Sequence, residues 1–200
     1  MTDDHHDHDH GHHDHHEHRA MGYVEALGQY RADKDTYFKS ARNSPIPPAD
    51  RDAFDGLPYY PIDEAYRFDG LTVEPYAGTE PSDFRIPTSD GQLRPAHRAG
   101  TLAFELAGER RVLTAYTFDG EDGESLFVPV LDATSGTETY GAGRYLDLDP
   151  EPDRTYTLDF NLAYHPSCVY DPRFSCPLTP AENRLPIRIE AGERLRSDPG

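Results

Sequence analysis

Between residues 66 and 189 the chain is cut repeatedly by clusters of Gly, Pro and Asp, and between the cuts apolar and polar residues alternate with a period of two. A sequence divided in this way cannot sustain long helices and is confined to short strands whose successive side chains face opposite sides of a sheet. The segments that read as strands are 66–68, 71–74, 84–86, 93–98, 101–107, 111–118, 126–131, 140–148, 155–162 and 185–189. Ala107-Gly108-Glu109 reads as a hairpin between two of them, and Asp119-Gly120-Glu121-Asp122-Gly123 as the next turn. One helix precedes the strands. Tyr23, Leu27, Tyr30, Tyr37 and Phe38 recur at steps that predict an amphipathic helix over 22–42, ended by Asn43-Ser44-Pro45. Residues 50–54, after Pro47-Pro48, suit one short helical turn. Gly56-Leu57-Pro58-Tyr59-Tyr60-Pro61 then requires an extended connector across a sheet edge, since its prolines cannot sit in a central strand. The expected fold is mainly β, an antiparallel sandwich or partly open barrel with one N-terminal amphipathic helix. A single β-rich domain is expected over 21–195, with the chain fraying past Glu193 and residues 196–200 outside it.

Charge narrows the partners. Acidic residues outnumber basic ones by 37 to 19, the net charge is -18, and only Lys34 and Lys39 among the basic residues are lysines. Such a chain repels nucleic acid and anionic membrane surfaces, so neither is an expected partner. Carboxylates spread along the whole chain, with lysine scarce, fit a halophilic, archaeal-like cytoplasm, where at molar salt the Debye length is only about 3 Å and surface repulsion is screened. No stretch is long and apolar enough to span a bilayer, and the expected protein is cytoplasmic, a monomer or homodimer.

Residues 1–20 form a His- and Asp-rich tail without an aliphatic anchor, expected to be disordered. It holds nine of the eleven histidines: His5, His6, His8, His10, His12, His13, His15, His16 and His18. Imidazoles at this density, with carboxylates between them, can converge on Zn or Ni, which makes metal handling one candidate function. A tag, a start at Met21 and a solvating tail are the alternatives.

Chemistry-bearing residues concentrate between 126 and 194. Asp132, before a Ser-Gly turn, can cap that turn or point into a cavity. Tyr140-Gly141-Ala142-Gly143-Arg144-Tyr145 places an Arg beside glycines that let backbone amides approach a ligand, or else makes a tight bend with Arg144 paired to Asp147 or Glu138. Asp159, Asn161 and His165 share parity and, in an unbroken strand, would face one side near Cys168. Cys168 with His165 and Asp159 or Asn161 can be read as nucleophile, base and orienter, the arrangement of cysteine hydrolases and transferases. His165, Cys168 and Cys176, with His97 or water, can instead be read as ligands for zinc or iron. The third reading is two buried, inert thiols. Glu182-Asn183-Arg184, bracketed by Pro180 and Leu185, can be a loop clasping the sheet.

In their order, Leu-Phe-Val-Pro at 126–129, the run from Asp132 through Thr-Ser-Gly at 134–136 to Tyr-Gly-Ala-Gly-Arg-Tyr-Leu-Asp at 140–147, Leu-Asp-Phe-Asn at 158–161, and Cys-Pro-Leu-Thr-Pro-Ala-Glu-Asn-Arg-Leu at 176–185 resemble the domain-of-unknown-function family numbered 1684. The resemblance extends from about Tyr30 to Arg194 and implies a domain but no reaction. Between Ala163-Tyr164 and Pro166 it implies Asn, where this chain has His165. The leading expectation is binding of a small polar or anionic ligand near Arg144 and Arg184, with Tyr145, Asn161 and Asn183 contributing. The rival is an enzyme using Cys168 as nucleophile with Glu182 or Asp159 as acid or base.

Overall fold

The computed structural model describes residues 22–120 and 124–196. The histidine tail, part of the predicted turn over 119–123, and residues 197–200 lie outside the described residues. Helix α1 (Tyr23–Ser40) follows the predicted span closely, and its extended C-cap Ala41 bonds back to the Tyr37 carbonyl. It buries Leu27 and Phe38, the latter against Ile46, Leu57 and the ring of Tyr170 at 5.2 Å. The short helix expected over 50–54 is instead a pair of turns, closed by Asp50 N–H to the Pro47 carbonyl and Phe54 N–H to the Arg51 carbonyl. The extended connector runs as expected, and Tyr59 pairs with Glu193.

The remainder is mainly β. Strands β2 (Asp83–Pro87), β3 (Leu93–Leu106), β4 (Glu109–Thr117), β5 (Leu126–Val130) and β6 (Arg144–Leu148) form an open five-stranded antiparallel sheet in chain order. Strands β1 (Arg67–Leu71) and β7 (Tyr156–Asp159) form a second, two-stranded antiparallel sheet. Alternation sorts the side chains between two cores. Leu102, Leu113, Val128 and Leu146 pack with Leu158 and Phe160 in the main one, where the Phe68 ring lies 4.9 Å from that of Phe104. Ile86, Tyr116, Phe127 and Tyr145 form the second. The β3–β4 hairpin turns on Ala107 (φ 56°) and Gly108 (φ 73°), both left-handed as a two-residue primed turn requires.

Several strand expectations are corrected. The runs 93–98 and 101–107 fuse into the single strand β3, because a register shift between Arg98 and Gly100 accommodates one extra residue without ending the ladder. Only the second half of 140–148 is strand, since Gly143 N–H closes a turn onto the Tyr140 carbonyl. The run 155–162 ends at Asp159 and passes into a 3-10 turn, Phe160–Leu162. Segment 185–189 is not a strand: Leu185 N–H bonds the Leu131 carbonyl, but Ile189 N–H bonds the Asp132 side chain. In the stretch expected to fray, the amides of Arg194 and Leu195 bond the Pro58 and Glu138 carbonyls.

Strand β5 contains Pro129 although it lies between β4 and β6. Proline brings no N–H to a ladder, which normally restricts it to edges. Continuing the Tyr116–Phe127 pairing places Thr114 opposite Pro129, and there the buried amide of Asn183 fills the gap. Its Oδ1 accepts from Thr114 N–H at 2.8 Å, while Nδ2 donates to the Thr114 carbonyl at 2.8 Å and the Pro129 carbonyl at 2.7 Å. One side-chain amide thus replaces the missing rungs. Asn183→Ala would strand a buried donor and two acceptors, and leaving one such group unsatisfied costs about 1–3 kcal/mol. Urea unfolding should therefore show a loss of at least about 3 kcal/mol. A loss below about 1 kcal/mol would mean that the amide is not what joins β4 to β5.

Candidate functional site

The expected ligand arginine is a core residue. Arg144 is 1% exposed, and its guanidinium donates to the Asp132 carboxylate at 3.2 Å and to the carbonyls of Ile189 (2.8 Å), Glu193 (3.1 Å) and Ala191. These bonds draw the irregular C-terminal segment onto β6. Asp132 both caps its turn, accepting from Thr134 N–H at 3.1 Å, and takes Ile189 N–H at 2.7 Å. Arg144 is therefore paired with Asp132, not with Asp147 or Glu138, and burial turns it from a ligand contact into a clamp. Arg184 is solvent-exposed, and its backbone bridges Leu131. Gly192 lets the clamped segment come close: its φ is 77°, and a Cβ there would lie 2.5 Å from the Ala163 carbonyl oxygen.

Asp159, Asn161 and His165 do not converge, because the 3-10 turn after β7 breaks the strand parity. Asp159 and Asn161 stay together with Tyr23. The Tyr23 hydroxyl donates to Asp159 Oδ2 at 2.7 Å, and Asn161 Nδ2 donates to Asp159 Oδ1 at 3.0 Å and to the Asp63 carbonyl at 2.8 Å. His165 lies elsewhere. Its Nε2 accepts from Tyr140 N–H at 3.3 Å, which places the ring proton on Nδ1, while the His165 backbone N–H donates to Glu193 Oε2 at 2.7 Å. Glu193, 1% exposed, also meets Lys34 Nζ at 2.7 Å and takes the Tyr170 hydroxyl at 3.2 Å.

The thiols form a third cluster, which shares Tyr140 with His165. Cys168 N–H donates to Cys176 Sγ at 3.4 Å, the Cys168 thiol approaches the Tyr140 hydroxyl at 4.0 Å, and the two are not bridged. Burial pushes the Cys176 thiol up to about 11. Glu182 bonds Arg98 at 2.8 Å and the Tyr116 hydroxyl at 3.0 Å, so the Glu182-Asn183 pair clasps the sheet. Among the described residues no three His, Cys, Asp or Glu side chains are grouped to hold a metal. His97, considered as a fourth ligand, is held between Asp83 at 2.6 Å and Asp119 at 2.8 Å. The tail histidines lie outside the described residues.

An open groove of about 500 Å³ lies between α1 and the β6 edge. Tyr23, Ala26, Leu27 and Tyr30 supply the helix side, at the helical steps that made this face read as apolar. Asp147, Asp149 and Glu151 supply the strand side, at alternate positions while Leu146 and Leu148 are buried. At one end the Tyr164 hydroxyl donates to Asp147 Oδ2 at 2.6 Å. Both residues also line a second cavity of about 370 Å³ with Tyr145, Phe118 and Phe127. Asp147 keeps solvent contact; its partial desolvation raises the carboxyl pKa, and the Tyr164 hydroxyl and the Lys34 charge oppose the shift. Of the residues expected to bind or react, Asp159 lines the first groove and Tyr145 the second. Tyr23, Tyr30 and Tyr164 went unsingled because tyrosines at core-like spacing give no separate signal. The alternating acids at 147, 149 and 151 were the readable one.

Burial, with Arg144 and Lys34 nearby, pushes the His165 imidazole down from 6.5 to about 3. Below pH 6.5 the unfolded chain takes up a proton that the folded chain refuses until about pH 3, so this contribution to stability is complete above 6.5 and is lost as pH falls through that window. Carboxylates titrate in the same range, so the comparison is with His165→Asn. From pH 6 to 4 the wild type should lose unfolding free energy faster than the variant, by up to about 1.4 kcal/mol per pH unit. Parallel pH profiles would show that His165 is not held neutral.

No match was found among curated proteins. Among the described residues no helix is long and apolar enough to cross a membrane. A solved relative, an uncharacterised protein of Haloarcula marismortui with a solution NMR structure, is 42% identical, with 85% of this chain and 92% of that one covered and a TM-score of 0.64. The family model described as "Protein of unknown function (DUF1684)" matches residues 52–194. The chain therefore belongs to the DUF1684 family.

Proposed function

We propose that this protein binds a small polar molecule in the groove between α1 and β6, as a single domain in a high-salt cytoplasm. The observation that carries the reading is the Tyr164–Asp147 pair at the junction of the two cavities. Elsewhere the conspicuous polar residues are committed to internal bonds: Arg144 to Asp132, Asn183 to Thr114 and Pro129, Asn161 to Asp159 and Asp63. The groove has the size range of ligand sites, about 300–1,000 Å³, and combines apolar walls with a few polar groups. The ligand is therefore placed away from Arg144 and Arg184, which line neither cavity. The excess of 37 acidic over 19 basic residues and the halophilic relative support the high-salt setting.

The test is a ligand-observed NMR screen of small polar compounds in concentrated KCl. Wild-type protein is compared with Ala26→Trp, which fills the groove from the exposed face of α1. Compounds that bind the wild type should lose at least about 90% of their signal change with the variant, a tenfold weakening or about 1.4 kcal/mol. Equal binding to both would move the site elsewhere.

A further inference from the structure

The two walls of the groove differ in chemistry, and the difference defines what can occupy it. From the strand side come Asp147, Asp149 and Glu151, and Asp159 at the end of β7 adds a carboxylate bonded to the Tyr23 hydroxyl. From the helix side and the far end come the rings of Tyr23, Tyr30 and Tyr164. Among the described lining residues the one cation is Arg67, whose charge is matched by Asp69 at 2.9 Å, while Lys34 at the Tyr164 end is paired with Glu193 at 2.7 Å. Glu151 has no side-chain partner among the described residues, and Tyr30 is 45% exposed. Carboxylates gathered along one wall of a groove generate a negative potential that favours cations over anions.

The aromatic side carries the same preference. The Arg67 guanidinium sits 4.7 Å from the centroid of the Tyr23 ring, and Lys34 Nζ lies 4.7 Å from that of Tyr164. Two of the three tyrosines in the lining thus already hold one of the protein's own cations on a ring face, the arrangement in which a ring quadrupole attracts positive charge. Such rings and carboxylates together favour a compact organic cation over a metal ion, because among the described residues no three carboxylate or imidazole groups are set to ligate one. We propose that the groove takes a small organic cation, a protonated amine or a quaternary ammonium, with the ammonium between the tyrosine rings and the Asp147–Asp149–Glu151 row. This rests on the reading of the groove as the ligand site and adds the charge class of the ligand.

Three molecules of one shape separate charge from fit: choline, its uncharged isostere 3,3-dimethylbutan-1-ol, and the anion 3,3-dimethylbutanoate. Each is titrated in KCl into the full-length, isotope-labelled protein, with amide shifts followed at Tyr23, Tyr30, Asp147 and Tyr164. Choline should move these amides with an affinity about tenfold above the alcohol, in keeping with a desolvated cation–π contact, and the anion should leave them unmoved. Asp149→Asn with Glu151→Gln, both exposed and remote from the clamps, should weaken choline several-fold and leave the alcohol unchanged. If the alcohol or the anion moves the groove amides as strongly as choline does, the cation assignment falls while the groove remains the ligand site. If none of the three moves them, the cation assignment falls, and the Ala26→Trp screen decides separately whether the groove binds anything.

Discussion

The interaction on which the rest of the structure depends is the burial of the Arg144 guanidinium. An ion of this kind removed from water loses several kcal/mol of solvation, and the loss is offset only where every donor finds an acceptor. Here the acceptors are Asp132 and three carbonyls of the C-terminal segment, at Ile189, Ala191 and Glu193. That segment has no strand of its own to hold it. Once docked, it presents Glu193 to Lys34, Tyr170 and His165, and it pairs with the connector at Tyr59, so α1, β6 and the connector are tied through one buried polar centre. The Asn183 amide between Thr114 and Pro129, and the Asn161 amide between Asp159 and Asp63, repeat the device on a smaller scale. In each case a side chain substitutes for a backbone rung where the chain is irregular.

Local pattern carried much of the fold. The helix was readable because Tyr23, Leu27, Tyr30 and Phe38 repeat within one element, and the Ala107-Gly108 hairpin because its two left-handed residues are adjacent. The cap at Asp132 was readable because its partner, Thr134, is two residues away. What depends on distant partners was not. Arg144 finds carbonyls 45 to 49 residues later, and nothing in the order of residues distinguishes those carbonyls from others. Pro129 lies within the expected strand 126–131, and the amide that completes its ladder comes 54 residues later.

The candidate site followed the same division. Asp159, Asn161 and His165 share parity, yet the 3-10 turn Phe160–Leu162 separates His165 from the other two, so the constellation around Cys168 dissolves. Arg144, Asn161 and Asn183, which the sequence offered as ligand contacts, are bound internally. The groove is built instead from residues in regular elements: a helix face of tyrosines, and an edge strand alternating Leu146 and Leu148 inward with Asp147 and Asp149 outward. Its acids alternate at 147, 149 and 151, but in a chain of net charge -18 that alternation does not stand out from ordinary surface charge. The helix that faces β6 across the groove turns that charge into the wall of a cavity.

The most direct measurement is native-state hydrogen exchange of the amides of Ile189, Glu193 and Leu195, which bond Asp132, the Ala163 carbonyl and the Glu138 carbonyl without belonging to any strand. If Arg144 clamps the segment, the Ile189 and Glu193 amides exchange only on global unfolding, with the same protection free energy as Leu113 and Val128 in the central strands. Exchange through local opening, several kcal/mol below those strands, would contradict the clamp and return the C-terminal segment to a loose covering of the core.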